Sequence, residues 1–392
     1  MSERATTVEG VRRTNLGEVL RLVHHQGPRS RAVITAETGL NRSTVSDLVS
    51  RLAEAGLVDE HDPDPTRRVG RPSPIVAPRS DVIALGINPE IDAVEVGAVS
   101  LGGRMRLRAR VEAVRPGVDE VVDTVAQIVD GWRDRLAGCR VVGAGVAVPG
   151  LVRAADGLVR LAPHLGWRDA EIAGPLGDTL GLPIAVGNDA SYGARAERLF
   201  GAAREHADVV YLNGGASGIG GGLILHGQLI GGAGGYAGEW GQTAASIADA
   251  RDRRVEDGVL EDEVNRARLL ASAGLGWADD DALARVLGGD AGVQATEESV
   301  RQRRILTATL RNAVNVLNPS MIVLGGFLAV LRDLDRESFD EAVRAQALAA
   351  PAEDLQLASA ALGADRLLIG AADAAFDRLL ADPLASERVT VA

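Results

Sequence analysis

The sequence predicts a large α/β domain preceded by a small winged helix-turn-helix module. Three observations predict this fold class. Residues 1–80 contain three amphipathic helical segments followed by two short strands. Beyond residue 80, short apolar strands alternate with longer helical patterns, which is typical of α/β proteins. At 392 residues the chain is also too long for one ordinary hydrophobic core, so more than one domain is expected.

The three helical segments of the N-terminal module carry their own start and stop signals. The first, over residues 14–26, repeats apolar side chains at helical spacing and ends before a Gly-Pro pair. Ser30 is expected to cap the second helix, which should end at Gly39. Asn41 is expected to cap the third. The apolar face of this third helix consists of Val45, Leu48, Val49 and Leu52.

Two strands, over residues 57–60 and 74–77, should form a wing after the third helix, with a Pro- and Arg-rich tip between them. The third helix would then enter the major groove of DNA by its first turn. The residues expected to contact DNA there are Arg42, Ser43, Thr44 and Ser46. Those expected to do so from the wing tip are Arg67, Arg68 and Arg71. The alternative is a small helical protein-interaction module with a solvated arginine loop.

The charge distribution fits a DNA-binding head on an acidic body. The net charge of −12 argues against nucleic acid as a partner of the whole chain. Residues 1–80, however, contain twelve arginines and ten acidic residues, whereas the remainder contains thirty arginines and forty-four acidic residues. A mildly basic segment on a large acidic module is compatible with a small DNA reader.

Composition also limits the location and the metal chemistry. No apolar run approaches the roughly 18–20 residues that span a bilayer, and the first residues lack the apolar core of a signal peptide. We therefore expect a cytoplasmic protein with no membrane partner. Cys139 is the sole cysteine, so an intramolecular disulfide and a cysteine-rich metal cluster are both excluded.

The large domain contains seven apolar segments with the length of strands. They cover residues 82–87, 94–99, 141–148, 184–186, 209–212, 222–225 and 321–324. Residues 214–238 are different, because twelve of these twenty-five positions are glycine. Glycine at this density permits positive φ and close approach of the backbone, and does not fill a packed core.

Four segments, together with the head, carry a family resemblance. They are PGLVRAADGLVRLAPHLGW (149–167), VGNDASYGARAE (186–197), GASGIGGGLILHGQLIGGAGGYAGEWGQ (215–242) and DGVLE (257–261). In this order they resemble the ROK family of repressors, open reading frames and sugar kinases. The regulator branch, with its xylose and N-acetylglucosamine repressors, is the most similar. The resemblance implies an actin/hexokinase-like fold in which two α/β lobes surround a sugar cleft.

The resemblance also implies domain boundaries and a sugar site. The head would cover residues 1–80, the first lobe 81–190 with C-terminal helices at about 366–392, and the second lobe 191–365. The family's Asn-Asp pair, two glutamates and two further polar positions bind the sugar. Their counterparts here are His164, Asn188, Asp189, Glu239, Gln242 and Glu261. His164 and Gln242 stand where the family has Asn and His, which leaves the identity of the sugar open.

Two departures from the family pattern decide the predicted class. The kinases need an early Asp-x-Gly-Gly-Thr loop for ATP phosphates, and this chain has Asn-Pro-Glu-Ile-Asp over residues 88–92. Acidic side chains there would repel a triphosphate. Many relatives also hold zinc with His and three Cys. The matching positions here are Gln242, Asp252, Arg254 and Val259, which cannot form a tetrahedral zinc site. An Asp252–Arg254 pair is a conceivable substitute.

We therefore predict a regulator, a repressor whose affinity for double-stranded operator DNA changes when a sugar or sugar derivative binds. It is not expected to be an enzyme or to hold a metal or cofactor, and the resemblance implies a dimer or tetramer. One alternative is an active sugar kinase with a DNA-binding head. A second is a regulator that answers to a protein partner.

Overall fold

A computed structural model describes residues 8–62, 73–215, 217–276, 278–289 and 292–385. Wing-tip residues Arg67, Arg68 and Arg71 lie outside the described residues, as does Ala216 of the glycine-rich segment. No helix within these described ranges combines the length and the apolar character needed to cross a membrane.

The described chain is mixed α/β, as predicted. Its helices are α1 (Val8–Gln26), α2 (Arg31–Thr38), α3 (Arg42–Glu54), α4 (Val118–Gly131), α5 (Ala173–Leu180), α6 (Asp189–Phe200), α7 (Leu260–Glu263), α8 (Arg266–Ser272), α9 (Asp280–Gly288), α10 (Val293–Leu317), α11 (Phe327–Asp333), α12 (Arg336–Gln346), α13 (Ala349–Ala352) and α14 (Arg366–Ala381). Short 3₁₀ segments cover Trp240–Gln242, Ala250–Asp252 and Gly363–Asp365.

The strands alternate with these helices along the chain. They are β1 (Arg29–Ser30), β2 (Val58–His61), β3 (Ile75–Pro78), β4 (Val82–Pro89), β5 (Ala93–Ser100), β6 (Arg104–Glu112), β7 (Arg140–Val148), β8 (Leu151–Val152), β9 (Val159–Ala162), β10 (Trp167–Ala170), β11 (Ile184–Asn188), β12 (Val209–Gly215), β13 (Gly218–Leu225), β14 (Gln228–Leu229), β15 (Met321–Gly326) and β16 (Gln356–Ser359).

Two compact units make up the chain. The first consists of Met1–Val148, Asp169–Gly187 and Leu367–Ala392. The second consists of Pro149–Arg168 and Asn188–Arg366. Compared with the boundaries suggested by the family resemblance, the head is grouped with the first lobe, and the segment containing His164 belongs to the second unit. The three-part division remains a prediction about independent domains.

The head has the helices and wing strands expected of a winged helix-turn-helix. The Ser30 hydroxyl accepts a hydrogen bond from the Val33 N–H and caps α2, which ends at Gly39 with φ of 67°. The Asn41 side chain caps α3 by accepting from the Thr44 N–H at 2.9 Å. The predicted apolar faces of α1 and α3 are buried. Helix α1 begins at Val8, earlier than the predicted residue 14, because residues 9–13 extend its first turns without a buried side chain.

A two-residue strand that the sequence does not reveal completes the wing sheet. Strand β1 pairs antiparallel with β3, and β3 pairs antiparallel with β2, giving the order β1-β3-β2. Two residues are too few to show an alternating pattern, which explains why β1 could not be predicted.

The first unit also contains a five-stranded sheet in the order β11-β7-β4-β5-β6. Strands β4 and β7 are parallel, and β4, β5 and β6 are antiparallel neighbours. Strand β6 was not predicted. Its sequence, RMRLRARVE, alternates as a strand should. Only Leu107 is buried, however, and the arginines give the segment a polar composition that does not indicate a strand.

The second unit contains a five-stranded sheet in the order β14-β13-β12-β15-β16. Helix α6 lies directly on β13, since a Cβ added at Gly222 would come within 2.4 Å of the Ala194 Cβ. This close approach explains the run of glycines in β13 and fixes the N-terminus of α6 against the sheet. The core behind the sheet joins β12 and β15 to α10, α11 and α12 through residues such as Leu212, Leu310 and Phe339.

Candidate nucleic-acid interface and ligand site

The N-terminal turn of α3 presents polar side chains to solvent. Arg42 and Ser43 are exposed, and Thr44 is half-buried. The Ser43 hydroxyl donates to the Asn41 side chain at 2.7 Å, which orders the first turn. An exposed guanidinium and ordered hydroxyls at a helix N-terminus can contact phosphate oxygens or base edges. This geometry is compatible with the predicted role of these residues.

Ser46, a fourth predicted DNA contact, is engaged within the head. Its hydroxyl accepts a hydrogen bond from Arg31 Nη1 at 2.9 Å. Arg31 also forms a two-pronged ion pair with Glu60 on β2. The Arg31 side chain therefore connects α2, α3 and the wing, and Ser46 positions this connection. Its contribution to DNA contact remains a prediction.

An acidic residue on α3 has a local counter-ion. Asp47 is exposed on the helix and would repel phosphate if its charge were uncompensated. Arg51, one turn later, donates to the Asp47 carboxylate at 3.0 Å. This i,i+4 pair reduces that repulsion.

The six residues predicted to bind sugar all belong to the second unit, and the structure groups four of them into two bonded pairs. Asn188 bonds to Asp189, and Gln242 bonds to Glu261. His164 is half-buried in the turn between β9 and β10.

The Asn188–Asp189 pair lies at the N-terminus of α6. The Asn188 Oδ1 caps the helix by accepting from the Ser191 N–H at 2.9 Å. Its Nδ2 group donates to the Gly150 carbonyl at 3.1 Å and to Asp189 Oδ1 at 3.0 Å. Asn188 thus ties the segment after β7 to α6 and orients the Asp189 carboxylate. A carboxylate held in this way is suited to accept hydrogen bonds from sugar hydroxyls.

Glu261 is held by the glycine-rich segment. Its Oε1 accepts from Gln242 Nε2 at 2.5 Å, and its Oε2 accepts from the Ile219 N–H at 3.1 Å. A Cβ on Gly218 or on Gly241 would come within 2.4 Å of Glu261 Oε2, so neither position can carry a larger residue without displacing this carboxylate. Gln242 replaces the family's histidine as a neutral partner that orients Glu261.

Glu239 lies at the start of the Trp240–Gln242 turn, close enough to Glu261 for the two charges to interact. Neighbouring protein atoms partly desolvate its carboxylate and raise its pKa, and the like charge of Glu261 raises it further. Two glutamates that repel each other form an acidic surface. Sugar hydroxyls would reduce this repulsion by donating hydrogen bonds to the carboxylates.

Residues 88–92, which stand where the kinases bind phosphate, form a tight acidic hairpin between β4 and β5 in the first unit. The Glu90 N–H donates to the Ala93 carbonyl at 2.7 Å, and Asn88 Nδ2 donates to the Glu90 carboxylate at 2.8 Å. Burial raises the pKa of Glu90, and the charge of Glu95 raises it further. Arg110 binds Asp92 at 2.8 Å from β6. The Glu90 N–H and the Glu90 carboxylate are thus both bonded within the hairpin, and a phosphate that approached the turn would meet acidic side chains.

Of the four positions that the family resemblance matches to a zinc site, Asp252 forms an ion pair with a residue outside this set. Asp252 pairs with Arg304 through two hydrogen bonds of 2.7 and 3.0 Å. The predicted Asp252–Arg254 pair is therefore wrong: Arg254 instead donates to the carbonyls of Arg251 and Arg253. Arg304 reaches Asp252 from α10 with two guanidinium nitrogens, whereas the Arg254 guanidinium is engaged by backbone carbonyls.

Two residues that the sequence did not single out organise this region. The Glu263 carboxylate accepts from the N–H groups of Arg254 and Val255 and from Arg301 Nη1, the latter at 2.9 Å. Burial acts to raise the pKa of Glu263, but these backbone donors and Arg301 outweigh burial and lower it. Arg301 also donates to the Asp252 carbonyl at 2.6 Å. No local sequence pattern points to this pair, because Arg301 lies 38 residues after Glu263.

Comparison with known proteins matches both the head and the rest of the chain to protein families. The model of the ROK family matches residues 85–378, and the model of the MarR family matches residues 18–68. The xylose repressor of Bacillus spizizenii is 26% identical over 235 residues, which are 59% of this chain and 60% of the repressor. A transcriptional regulator of Mycobacterium bovis is 28% identical over 331 residues, 79% of this chain and 73% of the regulator.

A solved structure agrees in fold. A ROK family transcriptional regulator, described as a homologue of the E. coli MLC protein, matches with a TM-score of 0.74 and 23% identity over 94% of this chain and 98% of its own. The chain spans about 60% of the length of the xylose repressor it matches. Because the family model covers most of the sequence and follows a MarR-type helix-turn-helix, the chain belongs to the ROK family.

Proposed function

We propose that this chain is a sugar-responsive repressor that binds double-stranded operator DNA. The observation that carries the proposal is the combination, in one chain, of a capped recognition helix and a sugar-type carboxylate site with an acidic turn in place of the kinase phosphate loop. Together, these three features favour a regulator over an enzyme.

The head supports DNA binding through geometry and charge. Arg42 and Ser43 are exposed at the N-terminus of α3, and the Arg31–Glu60 pair fixes the wing relative to this helix. A rigid helix–wing pair is needed to present one helix to the major groove while the wing meets the backbone. The relatives named as a xylose repressor and as a transcriptional regulator favour the same role.

The second unit supports a sugar effector. Asp189 and Glu261 are both oriented by an amide side chain, Asn188 and Gln242 respectively. Oriented carboxylates bind hydroxyl groups strongly, since a hydrogen bond to a charged group contributes about 1.5–3 kcal/mol. His164 and Glu239 complete the proposed set. A monosaccharide such as D-xylose, which the first relatives' name suggests, fits this chemistry.

Two features argue against phosphoryl transfer. The β4–β5 turn carries Glu90 and Asp92 in place of the glycines and threonine of the kinase loop, and acidic side chains do not bind ATP phosphates. In the glycine-rich segment, the Ile219 N–H donates to the Glu261 carboxylate, so this backbone amide is engaged by a side chain and not by a phosphate. We therefore propose a protein without catalytic activity, nucleotide or zinc, acting in the cytoplasm as a dimer or tetramer. Sugar binding would change the spacing or orientation of its DNA-binding heads.

The test measures ligand binding and DNA binding on the same full-length protein. Thermal shifts with D-xylose, D-glucose, N-acetylglucosamine and their phosphates should identify a stabilising sugar. Fluorescence anisotropy with a selected operator should show an affinity that changes when this sugar is added. Sugar-dependent ADP release would instead support the kinase, and DNA binding that no sugar alters would support a regulator that answers to a protein.

A further inference from the structure

A buried side-chain cluster connects the head to the rest of the first unit. His24, near the end of α1, places Nε2 at 2.9 Å from Asp373 Oδ1 on α14. The side chains of His24 and Asp373 are 0% and 1% exposed. Polar groups this deeply buried are costly unless they are bonded, so their contact is specific.

The hydrogen bonds of His24 define its protonation pattern. The Gly102 N–H, in the turn between β5 and β6, donates to His24 Nδ1 at 2.7 Å. Nδ1 is therefore the acceptor, and the proton is on Nε2, which donates to Asp373. A metal bound to Nε2 would require a proton on Nδ1, facing the Gly102 N–H, so this pattern disfavours a metal shared by His24, His25 and Asp373. His24 instead joins α1, the β5–β6 turn and α14.

Helix α14 packs closely against three other elements of the first unit. A Cβ on Gly86 or on Gly145 would lie about 2 Å from the carbonyl oxygens of α14, 2.0 Å and 1.9 Å respectively. A Cβ on Gly17 of α1 would lie 2.3 Å from the Leu380 carbonyl oxygen. The backbone of α14 thus rests directly on β4, on β7 and on α1. Phe376 packs edge-on against the His24 ring at 5.0 Å. Such contacts leave no room for α14 to slide without moving its neighbours.

The first residue of α14 belongs to the second unit. Arg366 donates to Asn213 Oδ1 at 2.9 Å, on β12 of that unit, and the helix continues from Leu367 within the first unit. One helix therefore begins at the unit that holds the proposed sugar site and ends at the DNA-binding head. Asp373 lies midway along it.

We propose that α14 carries the effect of the ligand to the DNA-binding head, and that His24 and Asp373 are the positioning residues that couple the helix to the head. This inference rests on the proposed function. Without the His24–Asp373 bond, the head would still fold on its own apolar core, but the packing of α1 on α14 would no longer be fixed in one orientation. Operator affinity would then lose its dependence on the ligand.

The test compares two variants with a matched control in the full-length protein. Asp373→Ala removes the acceptor, and Asp373→Asn keeps a carbonyl oxygen at the same place. Asp382→Ala is the control, because it removes an exposed contact between Arg13 on α1 and the segment after α14, at 3.4 Å. If Asp373→Ala fails to fold, His24→Leu, which removes the donor to Asp373, takes its place.

The first readout is the ratio of operator dissociation constants with and without D-xylose, or whichever panel sugar binds. Coupling in allosteric proteins typically spans about 5–150-fold. We expect Asp373→Ala to reduce the wild-type ratio to less than about twofold, with sugar affinity unchanged. Asp373→Asn should retain most of the ratio, and Asp382→Ala all of it. An unchanged ratio in Asp373→Ala, together with faster exchange of the Gly102 amide, would overturn the inference.

The second readout needs no ligand. Operators whose half-sites are moved apart by one or two base pairs should bind the wild type less tightly, because the heads are held in one orientation. Asp373→Ala should lose this discrimination, whereas mere destabilisation would weaken all spacings alike. Equal discrimination in wild type and variant would overturn the inference. A wild type that discriminates spacing but responds to no sugar would refute the proposed function and leave the positioning role standing.

Discussion

Replacing Arg301 with methionine should destabilise the region of the second unit that relatives hold with zinc. Arg301 is 2% exposed and Glu263 is fully buried. The guanidinium donates to the Glu263 carboxylate and carbonyl, to Glu298 and to the Asp252 carbonyl. Methionine fills most of the volume of the aliphatic part of the side chain and makes none of these bonds.

The magnitude follows from what the substitution leaves behind. Removing one partner of a buried ion pair typically costs about 3–5 kcal/mol, because the remaining charge is buried without its counter-ion. Glu263 would keep its two backbone donors, Arg254 and Val255, so we expect the lower end of this range, about 3 kcal/mol. At about 1.4 kcal/mol for each factor of ten, local opening should become roughly a hundredfold more frequent.

The assay is hydrogen exchange of the Arg254 and Val255 amides, which donate to Glu263. Global unfolding is less suitable, since a chain of two compact units need not unfold in one step. Arg304→Met is the matched control. It removes a guanidinium from the same helix, but Arg304 is 56% exposed, and exposed pairs contribute only about 0–1 kcal/mol.

Comparable exchange in Arg301→Met and Arg304→Met would refute the idea that the buried Glu263–Arg301 pair stabilises this region. A double variant, Glu263→Leu with Arg301→Met, extends the test. Replacing both charges should cost less than Arg301→Met alone, because no unpaired charge then remains.

Further predictions concern the two binding sites and the dependence on pH. Asp189→Ala should reduce sugar affinity by about ten-fold to a few hundred-fold, as measured by calorimetry, while ligand-free operator binding stays nearly intact; unchanged sugar affinity would remove Asp189 from the site. Arg42→Ala should weaken operator binding by about 1–3 kcal/mol if it reads a base, or lower the salt slope by about one if it meets phosphate. Arg71→Ala should behave likewise, and an unchanged affinity and salt slope would argue against either contact. The lowered pKa of Glu263 means that its stabilising effect is complete above its usual value of 4.5 and is lost as the pH falls through the lower, folded-state value; acid unfolding of Glu263→Gln should lack this loss. Elemental analysis should find no stoichiometric zinc.

The sequence predicted those features that depend on short-range patterns. The caps Ser30 and Asn41, the apolar face of α3 and the approximate positions of nine of the sixteen strands in the described residues follow from spacing and residue type. Strand β1 escaped prediction because it is too short, and β6 because arginines occupy its exposed face. Both depend on pairing with strands that are distant in sequence.

The contacts within the sites could not be predicted in the same way. Asp252 was expected to pair with a neighbour two residues away and instead pairs with Arg304, which lies on α10. His24 and Asp373 are separated by almost the whole chain, and neither shows a pattern that indicates its partner. Long-range polar pairs depend on the final packing of helices, whereas the family motifs around Asn188 and Glu261 are local and could be recognised.

The most direct test of the account is the operator dissociation constant of the full-length protein, measured by fluorescence anisotropy with and without a saturating sugar that stabilises it. The account predicts nanomolar-range specific binding, as is typical of such regulators, that changes by about fivefold or more when the sugar is added. The change should be lost in Asp189→Ala, with ligand-free binding preserved. Operator binding that is the same with and without every sugar that binds the protein would contradict the account.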